Sequence, residues 1–481
     1  VYIRKIQISD VRGFREVDLD LSRPDGSFAG WTVLAGRNGS GKSTLLKAIA
    51  LAAVGPEAVQ ALQSSFADWM RAGTSKAEVG VYLEPSSPTE DFSRPAWLSW
   101  RKVEGKSEPR LFSILVLPPE DMPKLSAAAP LFRPDQLQVV ENEQALFQKL
   151  REVHRTGELS TTPHINTNIV RDLIISNRED WFLAAYGPYR RLSGHAVDAQ
   201  RLMEGPEPIS RVVSLFREDA SLVEAVGWLR EIYLLRLENK PGAADLERAV
   251  MDLLDDGLLP DGVRVDQVDS DGLWVFQNEV RLPLRELSDG YRTIAALVMD
   301  IVRHLHRTFG ELQIERADDE EGPFWKVLHS GVVLIDEIDL HLHISWQKRV
   351  GFWLKRHFPN IQFIVTTHSP FICQAADPRG LIRLPAPGED HPTAHVSDDL
   401  YNTIVNGSID DVILTELFGV ESPYSAETER LREAVAQLEA KLQTGTATDK
   451  DRQELRELRS RLPRTMASSV EQALRVLTVE G

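Results

Sequence analysis

Apolar and polar residues alternate along YIRKIQISDVRGFREVDLDL, where Ile6, Ile8, Val17, Leu19 and Leu21 are separated by charged or polar neighbours. A period of two marks half-buried strands, so the chain begins in strands. WTVLAG at 31–36 follows as a short buried strand, and the spacing then lengthens to a helical one over 42–55 through Leu45, Leu46, Ile49 and Ala53. EVGVYL, WLSWRKV and LFSILVL read as further strands. From 121 to 260 the pattern changes to a Pro- and Ala-containing stretch, the polar run RTGELSTTPHINT and helical patterns such as SLVEAVGWLREIYLLRLE. Alternation returns in VRVDQVDSDGLWVFQNEVRL, where 269–272 is the turn of a hairpin. A helix after residue 288 then buries Ile294, Leu297, Val298, Ile301 and Leu305.

GVVLI and QFIVTT are continuous apolar runs, the pattern of strands buried on both faces. The segment between them, ISWQKRVGFWLKRHF, buries Trp346, Val350, Leu354 and Phe358 at helical spacing and completes a βαβ unit. Near the end, AETERLREAVAQLEAKL and RQELRELRSRL form two charged amphipathic helices, with Leu431, Leu438 and Leu442 facing Leu455, Leu458 and Leu462. The expected class is α/β with a mixed sheet. Its parts are an N-terminal lobe (1–120), a mostly helical insertion (121–260), a second lobe (261–400) and a C-terminal helical region (401–481).

Of the 481 residues, 55 are Lys or Arg and 72 Asp or Glu, a formal charge of −17, so any nucleic-acid contact has to come from a local basic patch or a partner. The single cysteine, Cys373, excludes an intramolecular disulfide framework and a four-thiolate zinc site and fits a reducing compartment. No apolar run reaches the ~18 residues of a membrane span. A cytoplasmic protein is expected.

The sharpest motif is GRNGSGKST, comprising Gly36, Arg37, Asn38, Gly39, Ser40, Gly41, Lys42, Ser43 and Thr44. It matches G-x-x-x-x-G-K-[ST], a chance event on the order of 1 to 2% in a chain this long. A buried strand enters it and a helix leaves it, so backbone N–H groups and the helix N-terminus converge on an anion. Lys42 would reach the β and γ oxygens of a nucleotide, and Ser43 would offer its hydroxyl to magnesium. GVVLIDE ends a buried strand in Asp336 and Glu337, and ligands of open α/β sheets bind at that edge. Asp336 would hold the magnesium shell and Glu337 would polarise water, with Asp339 next in line. His368 ends the neighbouring strand and is expected near Glu337. His341 and His343 lack a third ligand for zinc. Ser288, Asp289 and Gly290, in LSDGY, open a helix where a serine suits either a γ-phosphate or an N-cap.

The phosphate loop, LSDG, LIDE and TTHS, in that order, resemble an ABC-type P-loop ATPase head. The resemblance implies that Ser288, Asp289 and Gly290 close the ATP site of a second protomer, so that two heads meet head to tail or assemble further. About 240 residues separate the phosphate loop from LSDG, without long heptad arms, unlike transporter ATPases and SMC-like proteins. The wording LSDGYRT, GVVLIDEIDLHLH, SWQKRV and FPNIQFIVTTHSPFI looks most like the RecF- and OLD-related bacterial ATPases, especially the PtuA-like subunits of Septu and retron anti-phage systems. It implies ATP, Mg2+ and a separate nuclease effector such as an HNH protein. ABC heads usually carry Leu-Asp after the acidic strand, where this chain has Leu342 and His343.

OLD proteins append a Toprim nuclease, for which the roughly 110 residues after His368 leave little room. Asp269 and Asp271 fall in the hairpin turn, and Glu104 with Lys106 lacks a partner aspartate on a preceding strand. Arg190, Arg191, His195, Lys348, Arg349, Lys355 and Arg356 are the candidates for DNA contact. The expected function is a magnesium-dependent ATPase that regulates a nuclease effector in anti-phage defence. The alternative is a RecF-like repair ATPase that clamps DNA without an effector.

Overall fold

The computed structural model describes residues 1–63, 65–84, 95–101, 110–115, 181–190, 197–205, 207–259 and 261–462. Arg191, His195, Glu104, Lys106 and all of 121–180 lie outside them. Residues Val1–Val412 form one compact unit and Ile413–Gly481 a second.

Within the first unit, the central sheet runs Ala394–His395, Leu381–Arg383, Gly30–Ala35, Ile361–Thr367, Gly331–Ile335, Leu183–Tyr186. Its last five strands are mutually parallel, and Ala394–His395 adds an antiparallel edge. Continuous apolar runs build its middle: every residue of Gly331–Ile335 and Ile361–Thr367 is buried. A five-stranded antiparallel sheet carries the alternating N-terminal strands in the order Phe14–Asp20, Tyr2–Val11, Lys76–Glu84, Pro95–Arg101, Arg110–Leu115. Ile6 stands opposite Leu19 and Ile8 opposite Val17, so the period-two residues pair across the ladder and all four are buried. The chain therefore has a mixed α/β fold, with a parallel core and an antiparallel side sheet.

Two local expectations change, and one hairpin is added. Leu183–Tyr186 pairs in parallel with Gly331–Ile335, so the helical segment expected over 121–260 contains a strand of the central sheet. The linking helix of the βαβ unit is two pieces, Ile344–Gln347 and Val350–His357. Gly351 sits where a Cβ would lie 2.6 Å from Ala375 Cβ, which lets the second piece press against Trp31. Ile314–Asp319 and Gly322–Val327 form a hairpin that the sequence pattern did not disclose.

The helix Asp289–Phe309 buries the five apolar residues expected of it, and Asp300, Arg303 and His304 as well. Arg303 donates to Asp300 Oδ1 at 2.6 and 3.0 Å. Burial alone would raise the Asp300 pKa, but Arg303 and His304 beside it hold the carboxyl well below its usual range. In the second unit, Ala426–Gln443 and Asp449–Arg461 close on a small core of Val435, Leu438 and Leu455, flanked by Leu442, Leu458 and Leu462. Thr448 and Asp451 form a capping box at the start of the second helix. Among the described residues no helix is long and apolar enough to cross a membrane.

Candidate functional site

The strand Gly30–Ala35 delivers the phosphate loop to the carboxyl edge of the sheet, and the helix Lys42–Val54 carries it away. The loop turns on two left-handed glycines, Gly39 at φ 81° and Gly41 at φ 89°, a region that side chains with a Cβ enter at a cost. Gly41 also faces the Phe14 ring, 2.7 Å from where its Cβ would stand. Lys42 is buried, and its ammonium donates to Gly36 O at 2.8 Å and Arg37 O at 3.2 Å. Desolvation pulls its pKa down, opposed by the charges of Asp336, Glu337 and Asp339. Ser40 Oγ is buried without a hydrogen-bond partner. A loop curled around a desolvated ammonium, with an unsatisfied hydroxyl inside it, fits the phosphates of a nucleotide.

The strands Gly331–Ile335 and Ile361–Thr367 are paired in parallel with Ile335 opposite Val365, so their ends arrive together. Thr366 ties them: its hydroxyl donates to Asp336 Oδ1 at 2.5 Å and accepts from the Glu337 N–H at 2.7 Å. Thr367 donates likewise to Asp339 Oδ1 at 2.5 Å. Glu337 has φ 46°, a left-handed conformation that is rare for a residue with a Cβ. Burial raises its carboxyl pKa, as do the charges of Asp336 and Asp339, while Lys42 and Arg190 oppose the rise. Asp336 is 3% exposed, and its hard carboxylate oxygens together with the Ser43 hydroxyl suit Mg2+. His368 emerges at the end of its strand, with its imidazole pKa lowered by partial burial and by Lys42, and with Asp339 and Asp336 also acting on it.

Ser288 occupies the N-cap position of its helix, yet its side chain makes no capping hydrogen bond. Gly290 packs against the loop after the acidic strand, where a Cβ would come within 2.7 Å of His341 O. Asp289 pairs with Arg292, and the Tyr291 hydroxyl donates to Asp261 at 2.6 Å. His343 stands where ABC heads usually have aspartate, and its role here is structural, because it caps Ile344–Gln347 by accepting from the Ser345 N–H.

Arg190 departs furthest from the sequence reading. Expected among the DNA contacts, it is only 2% exposed. Its guanidinium donates to Gly187 O and Asp336 O at 2.8 Å each, to Glu337 O at 3.0 Å and to Ile338 O at 3.4 Å. Two other candidates are already neutralised: Lys355 pairs with Asp377 at 2.7 Å and Arg356 with Asp319 at 2.6 Å. Lys348 and Arg349 are exposed and lie over the rings of Phe371 and Trp346.

An AAA-domain family model described with the AbiEii toxin of Type IV TA systems matches residues 213–374, and a second AAA-domain model matches 5–94. The Septu protein PtuA of Bacillus mycoides is 26% identical over 77% of this chain and 38% of its own length. The "Retron Ec83 probable ATPase" of Escherichia coli is 44% identical over 23% of this chain and 18% of its own. The chain thus spans well under half the length of these relatives. Among solved structures, the Smc head bound to the C-winged helix domain of ScpA aligns at TM-score 0.43 and 17% identity, over 83% of this chain and 99% of that one; a likeness this weak carries no weight. Motif order and these sequence matches together make the chain similar to the PtuA-like ATPases of anti-phage systems.

Proposed function

We propose that the chain hydrolyses ATP with Mg2+ at the carboxyl edge of its central sheet, in a site completed by a second copy, and that it thereby controls a nuclease effector in cytoplasmic anti-phage defence. The observation that carries the chemistry is the convergence of Lys42, Asp336, Glu337 and His368 at the ends of three adjacent parallel strands. Lys42 and the amides of the phosphate loop bind the phosphates, and Ser43 and Asp336 hold the metal. Magnesium, when bound, neutralises charge developing on the phosphoryl oxygens. Glu337 orients the attacking water and takes its proton. A carboxyl whose pKa is raised by burial is suited to that transfer. His368, whose imidazole pKa is lowered by burial and by Lys42, would face the γ-phosphate end of the site.

The uncapped Ser288 hydroxyl and the N-terminus of its long helix present donors to a γ-phosphate bound elsewhere, which supports a head-to-tail pair. The Septu and retron names of the relatives support the defence role, and the HNH-type partner rests on the sequence resemblance alone. Burial of Arg190 and pairing of Lys355 and Arg356 remove much of the basic surface that a DNA clamp would use, so the effector reading is favoured over the RecF-like one. The test is phosphate release from ATP by the purified chain, alone and with its co-purifying partner. Turnover should require Mg2+ and stop on chelation. Absence of turnover in both preparations would refute the assignment.

A further inference from the structure

A guanidinium nearly free of solvent would ordinarily be matched by a carboxylate, because an unpaired buried charge is strongly destabilising. Arg190 is matched by carbonyls instead: its two terminal nitrogens donate to Gly187, Asp336, Glu337 and Ile338. Burial lowers its pKa to about 10, so it remains charged at neutral pH. For packing alone, an apolar side chain of similar volume would serve as well or better.

The three consecutive carbonyls of residues 336–338 form the turn that leaves the acidic strand. Within that turn Glu337 is the left-handed residue, a strained conformation that persists only where the surroundings fix it. Both polar groups of its backbone are held: the Leu340 N–H donates to its carbonyl at 3.0 Å, and two side chains add to that bond. Thr366 accepts from its N–H, and Arg190 donates to its carbonyl. The planar fork of arginine can serve two successive carbonyls at once, and the point charge of lysine cannot reproduce that geometry.

We infer that Arg190 is a positioning residue for hydrolysis: by clamping the carbonyls of Asp336, Glu337 and Ile338 it holds the Glu337 carboxylate where water is activated. The inference rests on the proposed role of Glu337. Arg190 touches no reacting atom, so its loss should fall on turnover and leave nucleotide affinity alone.

The test is a double-mutant cycle on the full chain. Arg190→Lys should lower kcat at least about tenfold while the Kd for a non-hydrolysable ATP analogue stays within about twofold of wild type. In a Glu337→Gln background the same substitution should change the residual rate less than about twofold, because the group it positions is already gone. Arg190→Gln, which retains one amide donor without a buried charge, is the second variant and should show the same pattern. Wild-type turnover by Arg190→Lys, an equal loss in both backgrounds, or a loss carried by Kd would overturn the proposal. So would failure of both Arg190 variants to fold, which would make the residue a structural requirement. Wild-type turnover by Glu337→Gln alone would overturn the reading beneath it, and that rate is measured before any Arg190 variant is made.

Discussion

Around the phosphate loop most side chains are bonded within the chain, the Ser40 hydroxyl excepted, whereas Ser288 leaves its hydroxyl uncapped at the head of its helix. Lys42 is bonded to loop carbonyls, Asp336 and Glu337 are tied to Thr366, and Arg190 closes the turn behind them. Ser288 is exposed, its hydroxyl unused at the head of the helix Asp289–Phe309. Both regions belong to one proposed site, yet only the first is preorganised within the chain. In the proposed shared site, a preorganised binding half would let nucleotide bind first and assembly follow, so that the meeting of two copies would gate hydrolysis.

Glu337→Gln should have the largest effect, lowering kcat by about 100- to 10,000-fold, the usual contribution of general base catalysis, while ATP still binds. Steady-state phosphate release beside calorimetry separates the two quantities. Lys42→Ala should weaken ATP binding on the order of 100-fold, since it removes charge-assisted hydrogen bonds worth about 1.5 to 3 kcal/mol each. Calorimetry measures that loss, and an unchanged melting temperature would confirm that the fold survives. Ser288→Arg should leave calorimetric affinity near wild type and cut hydrolysis by about tenfold or more, because a bulky cation replaces a donor aimed outward. The smallest effect on the site should come from Leu438→Ala in the C-terminal hairpin. It opens a cavity among Val435, Leu438 and Leu455 and should cost that unit about 2 to 5 kcal/mol by denaturant unfolding. ATP affinity should be unchanged, and a loss of effector co-purification would place docking on that region.

Much of the site was legible because chemistry and periodicity coincide there. The phosphate loop is a contiguous motif, and Asp336 and His368 end runs so apolar that burial on both faces is the only reading. The apolar face of the helix Asp289–Phe309 followed from 3.6-residue spacing, and Leu438 and Leu455 from the leucine seam. Arg190 was hidden because two arginines in YRRLSGH look like a solvated run; its one clue is the short apolar stretch of Leu183–Tyr186 that delivers it to the sheet edge. Asp300, Arg303 and His304 were hidden for a related reason: charges spaced three and four apart imitate a wet helix face, and only the tertiary fold shows them buried against one another. In Ile314–Asp319 the run of acidic residues broke the alternation that would have announced a strand.

The comparison between the two halves is tested most directly by mixing the purified Lys42→Ala and Ser288→Arg chains and measuring ATP hydrolysis. Each variant alone should be nearly inactive, one for want of a binding half and the other for want of a closing half. In the mixed pair, the intact phosphate loop of one copy faces the intact Ser288 of the other, so one working site per pair should form and activity should reappear as the two are titrated together. A mixture no more active than its components, under conditions where wild-type chains associate, would contradict a site shared between copies.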